Sequence, residues 1–181
     1  MIKDKWLIYK FRHGSQEAFC GIFEAYRDDL LRVAVSLLQD KSVAEDIVHE
    51  VFMHLIRVRK TFELSGSLRG YLMICVSNRA RNMNRDSRRM HSLDAGQGAE
   101  WMSNLRRPDQ WAVCSEEFER LRAALMTLPY AQREVVTLRV HGQLTFREMA
   151  EDQNCSLKTV QSRYRYALDK LREQLNGEVL T

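Results

Sequence analysis

The sequence predicts an all-α protein made of two small helical domains joined by a linker, and three observations support this. Apolar residues recur at steps of three and four through most of the 181-residue chain, as they do on one face of an α-helix. Only two prolines and eight glycines are present, too few for a turn-rich β protein. The helical pattern is lost between about residues 90 and 114, and so long a gap is uncommon inside a compact domain.

Two amphipathic helices are predicted in the first third of the chain. Apolar residues at helical spacing run through residues 16–38, and a short polar break follows at 39–41. Ser42, with Glu45 three residues later, has the pattern of a capping box, in which each side chain accepts a backbone N–H of the other residue. The second helix is therefore expected to begin at Ser42 and to bury a broad apolar face.

A loop and a third helix are expected next. Residues 61–67 break the helical period and include Ser-Gly-Ser, which indicates a loop. From Leu68 to about Arg89 the period returns, with an apolar inward side at first and an arginine-rich end. The three helices are expected to pack into one bundle, which makes residues 1–90 the first domain.

Residues 91–115 are predicted to be the linker. They contain Gly96, Gly98 and Pro108 among polar residues and have no helical period. The linker also has apolar residues, which are expected to pack back on a domain or to become ordered on binding. These residues are Trp101, Met102, Leu105 and Trp111.

The second domain, residues 116–181, is expected to contain four helices. Gly142 follows a predicted helix that ends near His141 and is expected to be its left-handed cap. Thr145 with Glu148 forms a second capping-box pattern, which opens a short helix.

The last two helices of this domain have the dimensions of a helix-turn-helix. A short helix over residues 145–152 is joined by four residues to a long helix over residues 157–175, for which Ser156 is a good N-cap. When the apolar residues of the long helix face inward, amide, hydroxyl and guanidinium groups face out, as a DNA major groove requires. The residues expected to read DNA are Lys158, Thr159, Gln161, Ser162, Arg163, Arg165 and Tyr166. A helical hairpin with a polar outside would have the same pattern, so this pattern alone leaves DNA binding open.

The distribution of charge also indicates contact with a polyanion. The net charge is only +4. Residues 61–90 carry six arginines and two acids, however, whereas residues 91–119 carry two arginines and six acids. A basic block followed by an acidic spacer is typical of a local anion-binding surface, although a solvated helix end would look the same.

Cysteine spacing and hydropathy exclude several other classes of protein. Cys20, Cys75, Cys114 and Cys155 have no paired spacing and no neighbouring histidine, so neither a zinc site nor a disulfide framework is expected. No stretch of 18 apolar residues occurs. We therefore expect a cytoplasmic protein without membrane insertion, with no metal site, no cofactor and no catalytic residue.

Sequence motifs in both halves of the chain carry a family resemblance. The motifs of the second half are Leu128-Pro129, Gln132-Arg133-Glu134-Val135-Val136, Thr145-Phe146-Arg147-Glu148-Met149-Ala150-Glu151, Ser156 and Thr159-Val160-Gln161-Ser162-Arg163. They resemble region four of the extracytoplasmic-function (ECF) sigma factors of bacteria, where a helix-turn-helix reads the −35 promoter element. The motifs of the first half are Ala44-Glu45-Asp46-Ile47-Val48-His49-Glu50-Val51-Phe52, Ser67-Leu68-Arg69-Gly70-Tyr71-Leu72 and Asn78-Arg79-Ala80. They resemble regions 2.2, 2.3 and 2.4 of the same family.

The resemblance implies a role for one face of the second helix. Asp46, His49, Glu50 and Met53 lie three or four residues apart and therefore share that face. In the family this region docks on the β′ clamp of RNA polymerase, so the resemblance assigns polymerase binding to these four residues. A face that simply meets water is the alternative, and acids are also favoured near a helix N-terminus.

The resemblance further implies that the loop and the end of the third helix bind the −10 element. There a base of the non-template strand is flipped out and held, at a cost of a few kcal/mol. The residues expected to do this are Phe62, Glu63, Ser65, Ser67, Asn78, Arg81, Asn82 and Arg85. The implied partners are core RNA polymerase, through its β′ clamp and β subunit, and promoter DNA, both double-stranded and melted. An anti-sigma factor is a further implied partner, and the protein would be nucleoid-associated when active.

Two other classes of function were weighed against this one. A helix-turn-helix regulator would bind DNA without joining polymerase, and the motifs of the first domain argue against it. An enzyme such as a recombinase or nuclease would need a catalytic constellation. His49, Glu50 and His54 do not have H-E-x-x-H spacing, and no nucleophile or acidic metal cluster stands out.

Overall fold

The computed structural model describes residues 2–38, 40–64, 66–93 and 116–177, and within these ranges the secondary structure is entirely helical. The helices are α1 (Ile2–Arg12), α2 (Gln16–Leu38), α3 (Lys41–Val58), α4 (Leu68–Leu93), α5 (Glu116–Met126), α6 (Tyr130–Val140), α7 (Phe146–Asp152) and α8 (Leu157–Gly177). We call α1–α4 the first module and α5–α8 the second module. The predicted all-α class is confirmed.

The first module has four helices where three were predicted. The additional helix, α1, packs on α2 because Ile8 and Phe11 are buried and Phe11 stacks on Phe19, with ring centroids 6.0 Å apart. The same helix exposes Trp6 and Tyr9 to solvent. Apolar residues on both sides of α1 obscure the one-sided pattern by which amphipathic helices are identified.

The prediction of a capping box at Ser42 is wrong. Helix α3 begins one residue earlier, and its N-cap is Asp40, whose Oδ1 accepts the backbone N–H groups of Ser42 at 2.8 Å and Val43 at 3.1 Å. An aspartate is at least as good an N-cap as a serine. With those donors satisfied by Asp40, Ser42 is simply the second residue of the helix.

In the second module the capping box at Thr145 is confirmed. The Thr145 hydroxyl accepts the Glu148 N–H at 3.2 Å, and the Glu148 carboxylate accepts the Thr145 N–H at 2.7 Å. Ser156 is also confirmed as a cap, because its Oγ accepts the backbone N–H of Thr159 at 3.0 Å. Both helices of the helix-turn-helix therefore begin at a local side-chain cap.

Gly142 is not the left-handed residue that the sequence predicted. The positive φ, 58°, lies at Gln143 instead. Gly142 has a different reason to be glycine: a Cβ there would lie 2.6 Å from the carbonyl oxygen of Leu138, so a side chain would push into the end of α6.

The two modules are packed against one another through a shared apolar core. Helix α6 lies on α2 and α4, and the side chains of Val135 and Leu138 are fully buried. Six residues of the second module belong to the same buried cluster as the core of the first. They are Val135, Leu138, Leu144, Met149, Ala150 and Val160.

Some details of the sequence prediction require correction. Helix α4 extends to Leu93, four residues beyond the predicted end. Ile56, Met83 and Leu121 continue the apolar spacing of their helices, which predicts that they face inward, but they are exposed. The predicted linker beyond Leu93, with its four apolar residues, lies outside the described residues.

Candidate nucleic-acid interface

The polar face of α8 points to solvent because the opposite face is buried. Val160, Ala167 and Leu171 pack into the module, and Tyr164 meets Phe146 with ring centroids 5.2 Å apart. This packing fixes the rotation of α8, so the residues predicted to read DNA share the outer face. The most exposed of them are Lys158, Gln161, Arg165 and Tyr166.

The remaining predicted DNA-reading residues of α8 are partly buried and bonded to their neighbours. The Arg163 guanidinium donates to Gln153 Oε1 at 2.7 Å, so it braces the turn between α7 and α8. The Thr159 hydroxyl lies 2.8 Å from that of Ser156 at the helix start. Ser162 donates to the carbonyl oxygen of Thr159. These three residues therefore flank the exposed row, and their hydrogen bonds hold the start of α8 and the turn before it in place.

The four residues predicted to bind polymerase share one exposed face of α3. Asp46, His49, Glu50 and Met53 are all exposed, because the opposite face of the helix is buried against α2 and α4. Glu50 forms an ion pair with Arg79 of α4. Ile56, which the sequence did not assign to this face, is exposed one turn beyond Met53, so the face combines acidic and apolar groups.

The loop between α3 and α4 places its predicted DNA-binding residues in different environments. Glu63 and Ser67 are exposed, and Ser65 lies outside the described residues. Phe62 is buried against Tyr71, with ring centroids 4.9 Å apart. In this conformation Phe62 therefore anchors the loop instead of offering a surface to DNA. Burial, with the neighbouring Cys75, raises the pKa of the Tyr71 hydroxyl to about 12.

The four residues predicted on the end of α4 are divided into two environments. Asn82 and Arg85 are exposed. Asn78 and Arg81 are half-buried, because α6 and α7 of the second module lie over them. The side-chain amide of Asn78 donates to Asp152 Oδ1 at 2.9 Å. Two residues predicted to bind DNA are thus in contact with the other half of the chain.

Arg81 is the centre of a polar network between the modules. Its guanidinium donates to Glu134 Oε1 at 2.8 and 3.1 Å, to Asp152 Oδ2 at 2.9 Å and to Asn78 Oδ1 at 2.7 Å. The Ser77 hydroxyl donates to the same Glu134 oxygen at 2.5 Å. The side chains of Glu134 and Asp152 are only 3% and 4% exposed. The two carboxylates are therefore almost entirely withdrawn from water, whereas the Arg81 side chain remains 32% exposed.

The electrostatics of the network follow from that burial. Burial raises the pKa of the Glu134 carboxyl, although the Ser77 hydroxyl and the Arg81 guanidinium both act to lower it. Burial alone would lower the pKa of Arg81, but the carboxylates of Glu134 and Asp152 outweigh it and raise that pKa. The guanidinium stays charged, and two acceptors from the second module occupy its donors.

A second contact joins the start of α4 to the turn after α6. Arg69 donates to the carbonyl oxygens of His141 at 2.8 Å and Gly142 at 3.4 Å. It also forms a 2.5 Å ion pair with Asp29 of α2. A third contact comes from Arg133, which donates to the carbonyl oxygen of Leu37 at 3.3 Å.

Sequence reasoning missed the residues of the second module that form this interface. Glu134 and Asp152 were not singled out, since each is an ordinary acid in a helical segment. A partial signal was present: Glu134 lies directly before Val135 and four residues before Leu138, so it falls beside the apolar positions of its helix. An acid at a buried helical position usually has a charged or hydrogen-bonding partner.

The described residues reveal neither a metal centre nor a membrane span. No group of three or more His, Cys, Asp or Glu side chains in them is placed to hold a metal ion. None of their helices is long and apolar enough to traverse a bilayer. Cys20, Cys75 and Cys155 are free thiols, and burial raises the pKa of Cys75.

Two family models match this chain. Residues 22–90 match sigma-70 region 2, and residues 118–171 match sigma-70 region 4. The first match covers most of α2–α4, and the second covers most of α5–α8.

Named relatives are similar over nearly the whole length. The ECF RNA polymerase sigma factor SigW of Bacillus subtilis is 25% identical over 183 residues, which cover 97% of each chain. The ECF RNA polymerase sigma factor RpoE of Cereibacter sphaeroides is 28% identical over 166 residues, which cover 91% of this chain and 90% of the relative.

Solved structures share the fold. The sigma factor RpoE from Bartonella quintana, in complex with the anti-sigma factor NepR, superposes with a TM-score of 0.72 at 25% identity, over 87% of this chain and 96% of that one. CnrH, in complex with the cytosolic domain of CnrY, has a TM-score of 0.69 at 22% identity, over 96% and 97% of the two chains.

Proposed function

The chain belongs to the sigma-70 family, in its extracytoplasmic-function group, and directs transcription initiation with RNA polymerase; we propose that its two modules divide this work between three surfaces. The first module docks on polymerase and opens the −10 element, and the second reads the −35 element. The observation that carries this proposal is that the α3 face and the α8 face are both exposed on one chain. A DNA-binding regulator would need only the α8 face.

The second module reads the −35 element as a duplex. The exposed row of α8 offers amide, guanidinium and ammonium groups, from Gln161, Arg165 and Lys158. An Arg or a Gln can bond two acceptors on one base edge, whereas a Lys suits a phosphate. The Arg165 guanidinium lies over the Tyr166 ring at 5.2 Å, an arrangement that holds it on the outer face.

The first module binds and melts the −10 element. Side chains of the loop and of α4 supply hydrogen-bonding groups for unpaired bases and strand phosphates. In the loop these are Glu63 and Ser67, and on α4 they are Asn78, Arg81, Asn82 and Arg85. Unstacking a base costs a few kcal/mol, and contacts to the flipped base offset this cost. Binding energy alone drives the step, which is consistent with a family whose members are not enzymes.

The α3 face docks on core polymerase. Asp46 and Glu50 supply negative charge, and Met53 with Ile56 supplies an apolar centre. An acidic rim around an apolar centre suits a basic partner helix, such as the β′ clamp presents in this family. The second module engages the β subunit and the linker spans between the two sites, so that two weak DNA contacts gain from effective concentration.

The docking role is tested with the charge-neutral double variant Asp46→Asn and Glu50→Gln. We expect it to weaken binding to core polymerase about tenfold, because two charge pairs are lost from the rim. The same set of promoters should still be used at saturating protein. The matched control is Glu17→Gln with Glu24→Gln, two acids on α2 outside this face. Unchanged core affinity in the docking variant would contradict the assignment.

The overall activity is tested by sequencing the transcripts made on genomic DNA by core polymerase with this protein. We expect initiation at a limited set of sites that share two spaced elements. A complete lack of initiation on both relaxed and supercoiled templates would leave only a DNA-binding protein.

Location and regulation follow the family. We place the protein in the cytoplasm and on the nucleoid when it is active. The structural relative from Bartonella quintana is bound to the anti-sigma factor NepR, and a protein of that kind is a partner that we propose for this chain as well.

A further inference from the structure

We infer that a surface of the first module, where the end of α1 meets the end of α3, binds single-stranded DNA that continues from the strand held at the −10 element. We call it the α1–α3 surface, and its residues are Trp6, Tyr9, Arg12, His13 and Lys60. None of them belongs to the α3 face, to the −10 residues or to the exposed row of α8. The inference rests on the proposed function only where it places the loop between α3 and α4 at the −10 element.

Two large aromatic side chains of α1 are left in solvent. Trp6 is 58% exposed and Tyr9 is 62% exposed, more than any other large apolar side chain in the part of the chain that the structure describes. They are three residues apart and therefore share one face of the helix. The packing of α1 on α2 is supplied by Ile8 and Phe11, on the opposite side. Exposed apolar surface that has no packing role typically marks a binding site.

Cations from two segments of the chain lie beside these rings. Lys60 follows the end of α3 and helps to form an open pocket of about 310 Å³, whose lining residues are Tyr9, Arg12, His13 and Lys60. Arg59 approaches the same place, since a Cβ on Gly14 would lie 3.9 Å from its Nη1. Within the described ranges no carboxylate pairs with Arg12, Arg59 or Lys60. Their charge is therefore available to an anion.

The helix dipole accounts for only part of this arrangement. Lys10 and Arg12 lie in the last turn of α1, where cations are favoured. The Lys10 ammonium, however, lies 3.8 Å from the centroid of the Trp6 ring. The Tyr9 and His13 rings have centroids 4.3 Å apart. The dipole would favour the cations whatever residues stood at positions 6 and 9, so it does not explain why exposed rings lie next to them.

Exposed rings beside cations are what a single strand of DNA requires. Unpaired bases stack on aromatic side chains, while cations along the same path meet the phosphates. A duplex keeps its bases stacked on one another, so it could use the cations of the α1–α3 surface but not Trp6 or Tyr9. The pairing of rings with cations therefore favours a single strand over a duplex.

The α1–α3 surface is adjacent in the chain to the loop between α3 and α4. Glu63 is three residues after Lys60, so the two Cα atoms are at most about 11 Å apart. Stacked nucleotides rise about 3.4 Å each along a strand, so about three of them span that distance. A strand with one base held at the loop can therefore place its next few bases on Tyr9 and Trp6.

The first test measures strand binding by the full chain. A fluorescein-labelled oligothymidine contains neither promoter element, so it reports on strand binding in general. In an anisotropy titration, Trp6→Ala with Tyr9→Ala should weaken its binding about tenfold, because the stacking platform is lost. The matched variant, Trp6→Phe with Tyr9→Phe, keeps aromatic rings and should bind like the unaltered protein. Neither variant should weaken binding to a duplex of the same length.

The charge of the surface is tested separately. Arg12→Gln with Lys60→Gln should weaken oligothymidine binding and lower the slope of log Kd against log salt by about 1.4, because each phosphate contact of a single strand contributes about 0.7. The matched control is Arg27→Gln with Arg172→Gln, which removes the same charge at two exposed positions outside the surface. The control should keep the salt dependence of the unaltered protein.

A second test places the surface in the transcription complex. Core polymerase with the alanine variant is loaded on a promoter fragment, found by in vitro transcription, whose −10 region is mismatched and therefore already unpaired. We expect this complex to dissociate about tenfold faster than the complex with the unaltered protein. Affinity for core polymerase without DNA should stay the same.

The outcomes separate this inference from the −10 assignment. Weaker oligothymidine binding and faster dissociation, with unchanged core affinity, support the inference. Oligothymidine binding that does not respond to the alanine variant overturns it. A loss of core affinity also overturns it, since the surface would then be a protein contact. The −10 assignment is read from Asn82→Ala with Arg85→Ala on a fully paired promoter: unchanged promoter opening there contradicts that assignment, whereas the oligothymidine titration still decides whether the α1–α3 surface binds a strand.

Discussion

The α8 face and the end of α4 are both polar helix surfaces, but they differ in how far they are exposed to solvent. On α8, Lys158, Gln161 and Arg165 are exposed to solvent. On α4, Asn78 and Arg81 are covered by carboxylates of the other module. The difference teaches that polar groups on a helix surface can be left to solvent, as on α8, or can serve to hold two modules together, as Asn78 and Arg81 do on α4.

Leu138→Asp, which disrupts the apolar part of the interface between the modules, is expected to have the largest effect of the substitutions considered. Leu138 is fully buried in the core that both modules share, so a carboxylate there loses its packing and its hydration together. We expect the free energy of unfolding to fall by about 3–5 kcal/mol, measured by denaturant titration. Val140→Asp is the control, because Val140 is 56% exposed on the same helix and should cost little. Equal effects at both positions would contradict the placement of α6.

A smaller effect, confined to the exposed surface, is expected from Arg165→Ala. Loss of a base-edge contact should weaken binding to a −35 duplex by about 1–3 kcal/mol and relax sequence preference at one position. The radius of gyration of the protein should not change, because Arg165 lies outside the interface between the modules. Titration on a promoter identified by in vitro transcription measures the effect. Arg172→Ala, further along α8, should leave sequence preference as it is; a change in preference there as large as at Arg165 would place the reading row elsewhere.

The smallest effect concerns pH and His141, whose carbonyl accepts Arg69 at the interface. Burial and the nearby Arg32 lower the pKa of its imidazole, against the opposing effect of Asp29. The unfolded chain therefore takes up the proton first, and stability falls as pH drops through the ordinary histidine pKa of 6.5. After allowance for solvent screening, we expect a decrease in Tm of about 1–2 °C between pH 7.5 and 5.5.

His141→Gln should remove that part of the pH dependence and leave the rest. The test is the difference in Tm between the two proteins at each pH, followed by differential scanning calorimetry. A difference that stays constant from pH 7.5 to 5.5 would mean that His141 has the same pKa in the folded and unfolded chains.

Features that depend on near neighbours were predictable from the sequence. The capping box of Thr145 and Glu148 was predicted correctly because both partners lie within one helical turn. The exposed row of α8 followed from the spacing of Val160, Ala167 and Leu171, which fixes the opposite face. The error at Ser42 was of the same local kind, since Asp40 offered an equally good cap two residues earlier.

Features that join distant parts of the chain were not predictable in this way. Glu134 and Arg81 are 53 residues apart, and no periodicity within either helix indicates that they meet. The sequence shows a basic block over residues 61–90 that is followed by an acidic spacer. Among the described residues, the acids that pair with arginines of this block are Asp29, Glu50, Glu134 and Asp152, which lie elsewhere in the chain. Charge composition indicated that a basic surface exists but not which acids would cover it.

The contact of Arg69 with the turn after α6 has a consequence for comparing relatives. Its acceptors are the backbone carbonyls of His141 and Gly142, which every amino acid supplies. Substitutions of His141 can therefore accumulate without any matching change at Arg69. A contact of this kind leaves no correlated pair of positions in a family alignment, so co-variation would overlook one of the bonds that holds the two halves together.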